Sequence, residues 1–330
     1  MKRFDEYLSD NHSERAMAEV EKGPSHEGNA SLTLDVPLRE IDKSLPLRVL
    51  SEADWEHWQT LGYVVVPDAI PKDHRDRLIA FLWEFQEMDP DDPSTWIGDR
   101  RRHGMEELNN AGMVEVYNHQ LLWDTRQTKR IYDAYVDIWD REDLWVTIDR
   151  ANLNTPNRGE RQFEGFIHWD VDTSKDPLPI NVQGVLSLVD TDPEVGGFQC
   201  VPELFRTFDD WLAQQPEDRD PYYPDVSDFD VEFIPLEAGD LIIWNSLLAH
   251  GVKPNRSQDR ARIAQYVSMY PADEGNEEQR QKRIRLWRDR EHPKGVAFPG
   301  DPRNLEKNRY DRAQLNELGE RLLGVKSWSE

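Results

Sequence analysis

The spacing of apolar and polar residues divides the chain into stretches of different character. Residues 1–46 are polar with no sustained period, and predict a flexible or draped arm. Order is expected to begin at Ser51-Glu52-Ala53-Asp54, where a serine cap with an acid three residues on opens a helix to about Leu61. Gly62 stops that helix, and Tyr63-Val64-Val65-Val66 reads as a short strand ended by Pro67. Pro71 starts a second helix, with Leu78, Ile79, Phe81, Leu82 and Phe85 as its apolar stripe. Residues 88–112 are rich in Asp, Pro and Gly, and read as an irregular excursion of the kind that forms lids or binding elements. A third helix is expected near 125–139.

Beyond Leu144 the period shortens. Short β runs at 144–153, 163–171, 180–189, 197–201, 231–235, 241–244 and 263–270 are separated by turns, mostly without helix between them. That spacing predicts an antiparallel sandwich or barrel. Residues 271–330 return to helix, including 314–323, which is expected to pack outside the sheets. The predicted organisation is an arm at 1–46 and one domain at 47–330. Its helical part is 51–140, its β core about 144–270 and its helical extension 271–330. The expected fold class is mainly β with flanking helices.

Composition narrows the function classes. Twelve Trp and 10% aromatic residues argue for a packed core. The chain has no apolar run long enough to span a bilayer, and its first residues lack the apolar stretch of a secretory signal. With one cysteine, Cys200, an internal disulfide is excluded and a cytoplasmic protein is expected. Cys200 itself reads as a small apolar strand residue. The formal charge of −25 would repel a polyanion, so no nucleic-acid partner and no membrane partner is expected. Local basic clusters occur at Arg100-Arg101-Arg102-His103 and across 280–290, the second reading as a solvated helix face laced with acidic partners.

The chemistry-bearing pattern is His-x-Asp. With nine His and 36 Asp, roughly one such tripeptide is expected by chance, and two occur. His74-Arg75-Asp76 lies at the start of the second helix, where i and i+2 side chains point about 200° apart and cannot share an ion; both read as surface residues. His168-Trp169-Asp170 lies in a predicted strand, where i and i+2 share a face about 6.5–7 Å apart. A third ligand is offered by His250, in GDLIIWNSLLAHGVKPN, after a strand and before Gly251. Two His and one carboxylate form the facial triad that holds Fe(II) and leaves coordination positions open.

Here the chain resembles the phytanoyl-CoA dioxygenase-like branch of the Fe(II)/2-oxoglutarate oxygenases. The likeness rests on LSEADWEHWQTLGYVVVPDAIP, on His168-x-Asp170, on VQGVLSLVDTDPEVGGFQCVP and on AGDLIIWNSLLAHGVKPNRSQDRARI, which occur in the family's order over about residues 50–270. The resemblance implies a double-stranded β-helix (jelly-roll, cupin-like) core. It implies Fe(II) held by His168, Asp170 and His250, with 2-oxoglutarate and O2 as co-substrates. The family's arginine pattern selects Arg260 to pair with the far carboxylate of 2-oxoglutarate, with Arg262 the alternative; a buried dicarboxylate end calls for such a cation. Asn152 resembles a 2-oxoglutarate contact, a strand-end hydrogen bond being the other reading. Gln183 and Ser187 could face the pocket, and Trp169 is expected on the opposite face. One departure is Pro202-Glu203-Leu204-Phe205, where many relatives carry a Pro-Gly-Ser-His-like sequence.

The implied activity is hydroxylation of an unactivated C–H bond, with 2-oxoglutarate converted to succinate and CO2. The carboxylate of Asp170 argues against halogenation, and desaturation or ring chemistry stays open. Acyl-CoA would need basic contacts that this acidic chain offers only locally, so a small-molecule metabolite is the expected substrate. The lid elements expected are 88–112 and 214–230, where Trp96, Tyr222 and Tyr223 are read first as exposed-loop packing and second as candidate lining. Two alternatives remain: a cupin-type metal protein with a non-oxygenase activity, and a catalytically silent binding protein of the same fold. Oligomeric state is not readable.

Overall fold

Helix α1 (Glu52–Leu61) starts in a reciprocal cap, in which the Ser51 hydroxyl and the Asp54 carboxylate each accept the other residue's backbone N–H. Gly62, left-handed, ends it, and β1 (Tyr63–Val66) follows as predicted. The computed structural model describes residues 38–96, 112–157, 164–294 and 298–329. After β1 come α2 (Lys72–Phe85), β2 (Met113–Val114), α3 (Gln120–Arg126) and α4 (Lys129–Trp139). The β-rich part holds β3 (Leu144–Val146), β4 (Ala151–Asn154), β5 (Ile167–His168), β6 (Val182–Ser187) and β7 (Gly197–Cys200). Next are α5 (Pro202–Arg206), α6 (Phe208–Leu212), β8 (Glu232–Phe233), β9 (Leu241–Asn245), β10 (His250–Lys253), β11 (Arg262–Tyr266) and β12 (Met269–Pro271). The chain closes with α7 (Glu277–Asp289), α8 (Leu305–Arg309) and α9 (Glu317–Leu323).

The strands form a six-stranded sheet, β1-β9-β6-β11-β4-β2, a four-stranded sheet, β5-β10-β7-β8, and a ribbon, β12-β3, with every pairing antiparallel. Alternation along each strand separates two cores. On β9, Leu241 and Ile243 pack with the helices, whereas Ile242 and Trp244 pack with Phe198 and Cys200 of the other sheet. On β11, Ile263 joins the helical core and Ala264 the inter-sheet core. This is the expected fold class, a jelly-roll arrangement of antiparallel sheets with flanking helices.

Helix α4 is almost wholly buried beneath the large sheet, and its Tyr135 hydroxyl donates to Val267 O at 2.7 Å. Gly184 on β6 makes that approach possible, because a Cβ there would lie 2.0 Å from the Tyr135 hydroxyl. The carboxylate of Asp137 accepts the backbone N–H groups of Arg48, Val49 and Leu50 at 2.8–2.9 Å and is fully buried. It thereby fastens the segment entering α1.

Several local expectations are corrected. The arm expected at 1–46 is packed over its last part: Leu38 is in the core, and Ser44 and Leu45 donate to Asp140; residues 1–37 lie outside the described residues. The helix expected at 125–139 spans parts of two, because α3 ends at its C-cap Gln127 and α4 starts after its N-cap Thr128. The run 144–153 divides because β3 pairs with β12 while β4 joins the large sheet. His74 is not a surface residue: it is 6% exposed, with Nε2 2.9 Å from Thr125 Oγ1. Asp76 is exposed and pairs with Lys72, so this His-x-Asp is structural. Within the excursion, Trp96 is buried and packs on Trp83 at 5.2 Å in the helical layer; residues 97–111, including the basic cluster at 100–103, lie outside the described residues. Arg283 of the second basic cluster turns inward and donates to Val146 O, Leu322 O, Leu323 O and the Tyr270 hydroxyl. Among the described residues, no helix is long and apolar enough to cross a membrane.

Candidate metal centre

Residues directly opposite in an antiparallel pair project to the same face. His250 of β10 is opposite His168 on β5 and Cys200 on β7, so both imidazoles leave the small sheet on one side. Strand β5 is shorter than the run predicted at 163–171, and Asp170 sits in the bend just after it. Its carboxylate still meets both rings. His168 Nε2 lies 3.3 Å from Asp170 Oδ1, and His250 Nε2 lies 3.1 Å from Asp170 Oδ2. One ligand atom from each of the three residues lies within 4.8 Å of the others, the one such cluster found among the described residues. Trp169, between the two ligands, points away as expected. Its ring packs edge-on to Phe208 and Trp211, and its Nε1 donates to Leu247 O at 2.9 Å.

The donor set fits a divalent cation. His250 Nδ1 is 2.9 Å from Leu248 O; a carbonyl can only accept, so Nδ1 carries the proton. In the neutral ring, Nε2 then presents a lone pair to a carboxylate oxygen. Two acceptors that close repel, and a cation between them removes the repulsion. Burial alone would push the Asp170 carboxyl up; positive charge beside it, at His168 and then at His250, holds it well below the usual carboxylate range, and a cation between the three ligand atoms would act in the same direction. Gln183, on β6 of the opposite sheet, donates its amide to Asp170 Oδ2. Around His250 the walls are aromatic, with Phe198 parallel at 5.8 Å and Trp244 at 4.9 Å. The His168 side chain is 20% exposed against 6% for His250, so the centre opens on the His168 side.

The two arginines lie on different sides of the wall. Arg260 precedes β11, is 46% exposed, and is engaged by Asp192 at 2.6 Å and Glu194 at 3.3 Å. Arg262, the first residue of β11, is 4% exposed and shares the inner face with Ala264 and Tyr266. Its Nη1 donates to Asn152 Oδ1 at 3.1 Å, and Asn152 pairs in register with Ala264 on β11. Ser187, opposite Ala264 on β6, gives its hydroxyl to Val189 O at 2.8 Å. The geometry thus joins Asn152 to Arg262, not to Arg260. Of the residues named at the departure from the family pattern, Leu204 and Phe205 are buried in the inter-sheet core as part of α5. The part played by Leu248 O was invisible in the sequence, since a backbone carbonyl leaves no residue-type signal. Phe198 and Trp244 could have been found from strand parity.

Fold and site together describe two antiparallel sheets carrying a candidate metal centre of two histidines and one carboxylate. The family model for phytanoyl-CoA dioxygenase (PhyH) matches residues 58–264, and the chain belongs to that family. It is an Fe/2-oxoglutarate-dependent oxygenase-family enzyme, with Fe(II), 2-oxoglutarate and O2 as cofactor and co-substrates. It is 23% identical over 242 residues to the Ava biosynthesis cluster protein O of Aspergillus versicolor, covering 66% of this chain and 77% of that one. It is 20% identical over 267 residues to a Dictyostelium discoideum protein named for phytanoyl-CoA dioxygenase, covering 67% of this chain and 76% of that one. Among solved structures, a Salmonella typhimurium LT2 protein named as an oxidoreductase shares the fold with a TM-score of 0.59, at 17% identity and 83% coverage of both chains.

Proposed function

We propose that the chain hydroxylates a C–H bond of a small organic molecule, with Fe(II) held by His168, Asp170 and His250 and 2-oxoglutarate anchored by Arg262. The observation that carries this reading is the meeting of three ligand atoms within 4.8 Å at one end of the inter-sheet space, with a buried arginine facing that space from β11. When bound, iron and 2-oxoglutarate supply the oxidising power, with succinate and CO2 as the co-products.

The residues of the chain bind, orient and exclude water. Leu248 O holds the His250 ring so that Nε2 faces inward. Gln183 occupies one lone pair of the Asp170 carboxylate and limits its rotation. Arg262 offers a rigid fork for a carboxylate, and Asn152 steadies it from the neighbouring strand. Phe198 and Trp244 keep the side of His250 dry. With Asp170 present as the carboxylate ligand, no position is left for a halide in its place, which favours hydroxylation.

The test is succinate formation from 2-oxoglutarate under air with added Fe(II). Turnover is expected in the native chain and is expected to vanish in His168→Ala, Asp170→Ala and His250→Ala. Native rates in all three variants would overturn the assignment.

A further inference from the structure

Large apolar side chains are normally covered, and exposed ones grouped at a functional centre mark a binding surface. Among the described residues four large hydrophobic side chains are exposed, and two of them, Phe166 and Tyr223, each 40% exposed, flank His168. The Phe166 ring lies 4.9 Å from the His168 ring, the Tyr223 ring 6.5 Å from it, and the two aromatic rings are 6.2 Å apart. These are the separations at which aromatic rings attract one another.

Both rings are held by tightly fixed backbone. Gly165, with φ +76°, lets the chain press against β10, since a Cβ there would lie 2.5 Å from Val252 O. A Cβ on Gly251 would likewise lie 1.8 Å from Phe166 O. On the other side, the segment carrying Tyr223 is fastened to Trp169, between the two candidate ligands, and to Thr173 in the turn after them. Trp169 N donates to Tyr222 O at 2.8 Å, and Thr173 Oγ1 to Pro221 O at 2.6 Å. Arg219 donates to Thr173 Oγ1 and to Thr173 O, and Asp220 accepts the N–H groups of Tyr222 and Tyr223. The expected lid segment 214–230 is therefore, at 219–223, a fixed wall.

We propose that Phe166 and Tyr223 form an aromatic lip that holds an uncharged, planar ring of the substrate beside the metal centre. The inference rests on the metal-centre reading and names its substrate class. The rings supply flat apolar area with little side-chain entropy to lose. The neighbouring described cations are already engaged, Arg256 by Glu164, Lys175 by Asp172 and Arg219 by Thr173, so the lip is a poor seat for a phosphate or carboxylate group.

The probe is 2-naphthol, added to the Mn(II)-loaded chain with 2-oxoglutarate. Its proton resonances should broaden near the paramagnetic ion and sharpen again when Zn(II) replaces Mn(II). Phe166→Ala and Tyr223→Ala should each weaken naphthol binding about 2- to 10-fold, Tyr223→Phe should leave it near native, and cyclohexanol should compete poorly. Mn(II) binding is followed separately by water-proton relaxation. Retained Mn(II) with unbroadened naphthol, native affinity in the double alanine variant, or displacement of naphthol by palmitoyl-CoA at lower concentration than by naphthalene would overturn the lip alone. Loss of Mn(II) binding in the native chain would overturn the metal centre and the lip with it.

Discussion

Gln183 reaches across the gap between the two sheets to donate its side-chain amide to Asp170 Oδ2, the carboxylate oxygen that also faces His250. A donor in that place orients the ligand without touching the ion. Gln183→Leu keeps the bulk and removes the donor, and is expected to weaken Mn(II) or Co(II) binding about 10- to 100-fold. A direct metal titration measures it; a native dissociation constant in that variant would show that the bond orients nothing.

Arg262 and Arg260 should separate cleanly in kinetics. Arg262→Ala removes a buried cation and is expected to raise the 2-oxoglutarate requirement by roughly 100-fold. Arg260→Ala breaks an exposed pairing with Asp192 and Glu194 and should change stability by less than about 1 kcal/mol, with little effect on the co-substrate. Measuring succinate release against 2-oxoglutarate concentration decides it, and the opposite ranking would return the anchoring role to Arg260.

His119 predicts a pH dependence of stability. Its Nδ1 accepts the N–H of Leu121 at the start of α3, and its ring stacks on Phe81 at 3.7 Å. Burial lowers its pKa from 6.5 to about 4. The unfolded chain therefore binds the proton first, so stability falls as pH drops through the window from 6.5 to about 4, by on the order of 2 kcal/mol. His119→Asn keeps a capping acceptor and cannot titrate there. Denaturant midpoints across that window should fall more steeply for the native chain than for the variant; parallel curves would exclude this origin.

Asp137 carries three backbone N–H groups on one buried carboxylate. Asp137→Ala leaves all three without their acceptor and should cost about 3 kcal/mol, with Asp137→Asn costing less. Urea unfolding measures both, and a loss below about 1 kcal/mol in the alanine variant would mean that water replaces the carboxylate.

The candidate ligands were legible as a group through the two-residue spacing of His168 and Asp170, although only His168 lies in the strand, and through a histidine followed by glycine at the start of another. Arg260 was singled out by the family's arginine pattern, with Arg262 as the alternative; a residue pattern does not mark where the strand begins, and β11 begins at Arg262, leaving Arg260 outside it. His74 shows the converse. It lies four residues before Leu78 and seven before Phe81, so it belongs to the buried stripe of α2, whereas its place at the start of the helix suggested a surface residue. The helix ends at Ser51 and Gly62 were plain because caps are local. What joins distant segments was not: Glu306 of α8 accepts the N–H of Tyr117 at 2.9 Å from 189 positions away, and no local pattern announces such a bond.

The bond from His250 to the Leu248 carbonyl also bears on how the protein is handled. It presents a ready imidazole whatever ion arrives, and nitrogen and oxygen donors of this kind bind nickel, copper and zinc at least as tightly as iron. Affinity alone therefore does not select iron, and the supply of ions contributes to which one is bound. Purification over nickel-charged resin is expected to fill the pocket with an ion that cannot support turnover, so specific activity must be divided by measured iron occupancy before variants are ranked.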